Sequence, residues 1–288
     1  MSARRWLLAL ACVGALAACE RGPASGPVPA PASAASAGPA RWADTDQAEA
    51  LMRAVPGWAS AQQPVAAWVD GGPAVLAPGL VVPLSADTRL LLVRVDAVDD
   101  QGQSLAGHAT AGVFELHRFE RGASGWRYAG RAGAPVEAGF SGQVGELALS
   151  PAGTSPPVLL QEAGSCWQGY CGSWLQLYAL GVDGAKPQLP QAVMTSSSNE
   201  GAQPGCEEAG AEAGEKPAAG DGPARWSVLS RWQWAVAPGQ TAPALVLQYE
   251  GEERDTACGA PRPVRAEVRL LPAGGAYTVQ GTVPARPF

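Results

Sequence analysis

Apolar and polar residues alternate with a period of two through most of this chain. Over residues 225–236, Trp226, Val228, Trp232, Trp234 and Val236 share one face, and Ser227, Arg231 and Gln233 lie on the other. Over 264–271, Val264, Ala266, Val268 and Leu270 oppose Arg265, Glu267 and Arg269. An extended strand puts every second side chain on one side, and a strand with one wet face belongs to an antiparallel sheet. Turn signals punctuate the pattern at Asp70-Gly71-Gly72, Gln101-Gly102, Ser124-Gly125, Asp183-Gly184 and Gly274-Gly275. One short helix is expected. Asp46 and Glu49 have capping-box spacing, Leu51, Met52 and Val55 give it an apolar side, and Pro56 stops it. The chain is expected to be all-β, made of antiparallel meanders, with that one helix near its start.

The strands recur in units of strand, long loop, strand, tight turn, strand. The first unit reads LLLVRVD, VFELHRFE and WRYAG; the second PVLLQEA, SWLQLYAL and AKPQLPQ; the third PALVLQYE, VRAEVRLL and AYTVQG. GELALS and RWSVLSRWQWAV precede the second and third units. Four strands in about 45–55 residues is the size of a propeller blade. On this ground the units resemble the blade-like repeats of FG-GAP β-propeller proteins. Three units are too few to close a ring, so the resemblance implies a propeller-like open assembly, and a β-sandwich fits the same pattern. Residues 196–224 break it: they are rich in Gly, Ala and Glu and have no apolar period. They read as a long surface loop or disordered insert pinned by Cys206. Their acids lack the one-three-five spacing of a calcium loop.

At the N-terminus, Arg4 and Arg5 precede an apolar run from Trp6 to Ala18, which ends in Leu16-Ala17-Ala18-Cys19. At about 1.5 Å per residue, that run is too short to cross a hydrocarbon core of about 30 Å. It has the length of a signal-peptide core. Leu16, two alanines and Cys19 resemble the lipobox of bacterial lipoproteins. The resemblance implies removal of residues 1–18, a diacylglyceryl group on the Cys19 thiol and an acyl chain on its new amine. Three chains give a durable anchor in the lipid bilayer where one would not. Glu20 follows where enteric lipoproteins held at the inner membrane carry aspartate. By that analogy the address is the outer membrane, with the domain facing the periplasm. Residues 19–40, rich in Pro, Ala, Ser and Gly, are expected to form a disordered tether, and 41–288 a single β-rich domain.

Cleavage removes two arginines and no acid, so a net charge of −6 becomes −8 in the mature chain. That excludes nucleic acid as a partner, whose phosphates call for basic stripes. Of six cysteines, Cys12 leaves with the signal and Cys19 takes lipid. In an oxidising compartment the other four are expected to pair, as one of three possible connectivities. Cys166–Cys171 closes a small natural loop and leaves Cys206–Cys258. A four-cysteine zinc site is the alternative; neither spacing is of the tight zinc-knuckle type. No cofactor is expected.

Catalytic signatures are absent: there is no G-x-S-x-G elbow, Walker A loop, dinucleotide fingerprint or H-E-x-x-H. Of the two histidines, His117 alternates with Phe114 and Leu116 and reads as a surface strand residue. His108 lies in the first long loop, near Asp96, Asp99 and Asp100. Asp99-Asp100-Gln101-Gly102 reads as turn chemistry. If the repeat holds, the three long loops share one edge. They would gather Asp99, Asp100 and His108 with Trp167, Gln168 and Tyr170 and with Glu252, Glu253, Arg254 and Asp255. Aromatics fixed in a small disulfide loop suit sugar stacking or a protein partner. The simpler reading folds both rings back onto the sheet. The first expectation is a non-catalytic envelope protein that binds a protein or glycan. A hydrolase using His108 and the acidic loops, and a purely structural envelope protein, are the alternatives.

Overall fold

The computed structural model describes residues 42–58, 64–66, 73–99, 101–203, 206, 223–237 and 240–286, with backbone alone at 64–66. The expected signal peptide, Cys19, the tether and Asp100 lie outside these residues, as do 204–205 and 207–222 of the expected long loop.

The strands make two antiparallel sheets. The first contains β1 (Trp42–Ala43), β2 (Pro64–Ala66), β3 (Pro73–Pro83), β4 (Thr88–Ala97), β5 (Gly112–Gly122), β6 (Gly125–Arg131) and β7 (Val136–Ala138), in the order β1-β6-β5-β4-β3-β2, with β7 also on β5. The second contains β8 (Glu146–Leu149), β9 (Val158–Trp167), β10 (Tyr170–Gly181), β11 (Gly184–Pro187), β12 (Val193–Ser198), β13 (Arg225–Ala235), β14 (Ala244–Arg254), β15 (Arg262–Ala273) and β16 (Ala276–Gln280). Its order is β16-β15-β14-β13-β12-β10-β9-β8, with β11 also on β10. Every strand of the repeat units forms. The second and third units do not stand apart as blades, because β12 pairs with both β10 and β13 and fuses them into one sheet. Ser196–Ser198, expected in the long loop, belong to β12.

The second sheet curls until β16, at one end, meets the branch that β11 makes on β10. The Tyr277 amide of β16 donates 2.8 Å to the Gln188 carbonyl, just beyond β11. The concave side is one apolar cluster running from Leu160 and Leu175 through Val193, Val228 and Leu247 to Val268, Leu270 and Tyr277. The last described residues lie along it. Val283 and Ala285 pack on the cluster, and the Arg286 amide donates 2.9 Å to the Ser197 hydroxyl.

A second cluster joins the sheets. Val82, Leu90, Leu92, Phe114 and Leu116 of the first pack on Leu159, Tyr178 and Leu180 of the second. The two sheets pack through this cluster, while the second also keeps a core of its own inside its curl. The other face of the first sheet is covered by α1 (Ala48–Ala54), which buries Leu51, Met52 and Ala54 there. The helix ends before Pro56 as expected, but its start differs. Gln47 occupies the N-cap without a side-chain cap bond, and Asp46 faces Arg89 at 3.8 Å instead.

His117 is not on the surface. It is 2% exposed, beside the rings of Trp58 and Tyr128, with Nε2 3.0 Å from Glu115, itself 2% exposed. Glu115 also meets Arg131 at 3.2 Å. His117 does lie on the face opposite Phe114 and Leu116, but β5 is buried on both faces, so neither face is the wet one.

Candidate functional site

The segment expected to be the second long loop is the end of a hairpin. β9 and β10 pair up to Trp167↔Tyr170, leaving only Gln168 and Gly169 in the turn. Both have left-handed φ, 49° and 83°, the requirement of a two-residue type I′ turn. Gly169 is needed twice, since a Cβ there would overlap the Gly201 backbone. One pair back, Cys166 faces Cys171 and the two form a disulfide. Cys206 and Cys258 form the other. With all four thiols so used, none is left to hold zinc.

Trp167 stands out from this tip. It is 61% exposed, while most large apolar side chains are covered. Its ring centre lies 5.1 Å from that of His108. His108 also sets Nε2 3.2 Å from the Ser165 hydroxyl, and its carbonyl accepts a 3.2 Å bond from Ser141. The first-unit loop is thus fastened to the second-unit hairpin by a histidine.

Tyr170 turns the other way. Its hydroxyl accepts 3.1 Å from Gln203, and its ring lies 6.4 Å from Trp226. Asn199, 1% exposed, holds that neighbourhood: its Nδ2 donates 2.8 Å to the Ala224 carbonyl, and its Oδ1 accepts 2.8 Å from the Trp226 amide. Tyr170 therefore packs inward, and of the two rings Trp167 alone is presented.

The third-unit residues reach the same end through Trp226, which opposes Glu253 across β13 and β14. Their charges are spent on one another. Arg254 meets Glu252 at 3.0 Å, and Arg262 meets Glu253 at 3.1 Å and Asp255 at 2.7 Å. Arg286 pairs with Glu253 as well and lies 5.7 Å over the Trp226 ring. These partly exposed pairs form a rim, worth little individually.

Asp99 does not join the tip. Its Oδ1 accepts 2.8 Å bonds from the amides of Gln101 and Gln103, the turn chemistry its sequence suggested. Asp96 lines a separate groove of about 400 Å³ with Glu137 and Leu105. Burial pushes its carboxyl above the usual 3.8, and Arg94 works against that.

The arrangement offers a fixed indole face beside an imidazole, suited to stacking. Sequence reasoning missed Ser165, and with it Ser141, Asn199, Gln203 and Arg286; nothing but the fold brings them here. Among the described residues no carboxylate contacts the other nitrogen of the His108 ring. No helix among the described residues is long and apolar enough to cross a membrane. Compared with known proteins, the chain matches no family model, no curated sequence and no solved structure.

Proposed function

We propose that this is a lipid-anchored envelope protein, held at the outer membrane through acylated Cys19 and facing the periplasm, whose β-domain binds an envelope protein or glycan without catalysis. The lipobox supports the address. The observation that carries the binding is Trp167: a largely exposed indole on a two-residue turn, one residue from a disulfide and backed by His108. A rigid aromatic loses little entropy when it is covered, which makes it a good anchor. Removing an exposed side chain also leaves the fold alone.

The test is capture of purified chain by isolated peptidoglycan sacculi and by outer-membrane vesicles. Trp167→Ala is expected to lower retention about tenfold, the effect of losing one anchor of about 1.4 kcal/mol, with an unchanged melting temperature. Retention equal to the parent on both materials contradicts the reading.

A second reading, a hydrolase with Ser165 as nucleophile and His108 as base, is favoured by their 3.2 Å contact. Such a base needs a partner to fix its tautomer, and among the described residues His108 has none. Covalent labelling of the chain by a fluorophosphonate, lost in Ser165→Ala, would support this reading over the first.

A further inference from the structure

Farther down the same hairpin lies a groove of about 330 Å³ that the tip does not use. On β10, Trp174, Gln176 and Tyr178 occupy alternate positions and line it in a row roughly 13 Å long. Gln161 of β9 stands directly opposite Gln176. Phe140 closes the far side, its ring centre 5.2 Å from that of Trp174. None of the lining residues is charged.

Two polar groups in this groove are nearly buried yet unsatisfied. Gln161 is 5% exposed and its Nε2 donates 2.8 Å to the Val144 carbonyl. A carbonyl only accepts, so that bond fixes the amide's orientation and leaves Oε1 as the free end. No described residue donates to Oε1. Tyr178 is 6% exposed, its ring packed edge-on against Phe114 at 5.8 Å, and its hydroxyl bonds to no described residue. Neither oxygen is sealed from solvent. Buried polar groups normally find partners, and these two are open to one only through the groove, from water or from a ligand that displaces it.

We propose that the groove binds a neutral saccharide. Aromatic faces at Phe140 and Trp174 stack on the C–H face of a sugar ring. Gln161 Oε1 requires a donor, the Tyr178 hydroxyl donates or accepts a hydrogen bond, and sugar hydroxyls serve both. The absence of lining charge disfavours acidic sugars and phosphates. A polyproline peptide fits the aromatics but brings only carbonyl acceptors, so it leaves Gln161 Oε1 unpaired. The volume is at the lower end for small-molecule sites, enough for one or a few rings. The groove is independent of the tip, and either can fail without the other.

The experiment titrates chitotriose, cellotriose and maltotriose into the purified full chain, followed by calorimetry and tryptophan fluorescence. At least one is expected to bind saturably at millimolar concentration or below. Tyr178→Phe keeps the ring and its packing on Phe114 and is expected to weaken that binding about tenfold. Trp174→Ala is expected to abolish it, and Leu229→Ala, at an exposed position that lines neither the groove nor the tip, to leave it unchanged. Saturation by none of the three overturns the proposal. So does equal affinity in Tyr178→Phe, or binding of a proline-alanine peptide that the Tyr178→Phe change weakens while no sugar binds.

Discussion

The ring of Trp167, at the tip of one hairpin, lies 5.1 Å from that of His108, on a loop of the other sheet. His108 in turn lies 3.2 Å from Ser165 on that hairpin. His108 therefore does two things at once. It ties the two sheets together near the tip through Ser165, and its ring backs the Trp167 indole.

The two disulfides should differ in what they contribute. Cys166–Cys171 spans a sequence separation of 5, and Cys206–Cys258 one of 52. On the chain-entropy model the short loop is worth about 2 kcal/mol and the long one about 4. Urea unfolding of Cys166→Ser/Cys171→Ser and Cys206→Ser/Cys258→Ser variants measures both. The second should lose more stability; equal losses, or the reverse order, would show that the loops act through native packing instead.

Glu115 and His117 share a bond inside the first sheet and should behave as a coupled pair. Glu115→Leu strands a buried imidazole and is expected to cost about 1–3 kcal/mol. Adding His117→Leu removes the stranded group and should recover part of that loss. A double variant whose loss equals the sum of the single losses would mean that the contact contributes no coupling.

Burial makes four tyrosines resist ionisation. Burial raises Tyr128, Tyr178, Tyr249 and Tyr277 above the usual 10.0; Glu115 adds to this at Tyr128 and Glu162 at Tyr249, and Tyr277 is pushed up to about 12. A raised folded value means that the folded state holds its proton more tightly than the unfolded chain. The associated stability is fully present below about pH 10 and is lost as pH climbs through the folded values. Tyrosinate absorbance should therefore rise in step with loss of β circular dichroism. Full ionisation of these rings in a chain still folded would contradict the burial argument.

Much of the fold is legible in the sequence because period two is a local signal. β13 and β15 each keep one apolar face, and turn glycines mark their ends. β3 is not legible: Pro78 and Gly79 interrupt PAVLAPGLVVP, and both fall where the β3–β4 register shifts. β12 is hidden by its serines, of which Ser197 is buried and accepts the Arg286 amide. The burial of His117 is not legible, because a strand buried on both faces has no polar side to reveal it. At the tip, the cysteine spacing marks the short loop that carries both aromatics, but the type I′ turn is what sends Trp167 outward and leaves Tyr170 against Gln203. Ser165 carried no signal at all, since its partner is distant in sequence.

The anchor and the braced domain are tested together by the intact mass of membrane-extracted protein, measured before and after reduction. The account predicts a chain that starts at Cys19, carries three acyl chains, and gains about four hydrogens on reduction, two for each disulfide. An unacylated chain that keeps residues 1–18 and gains no mass on reduction would contradict both the address and the bracing of the Trp167 tip.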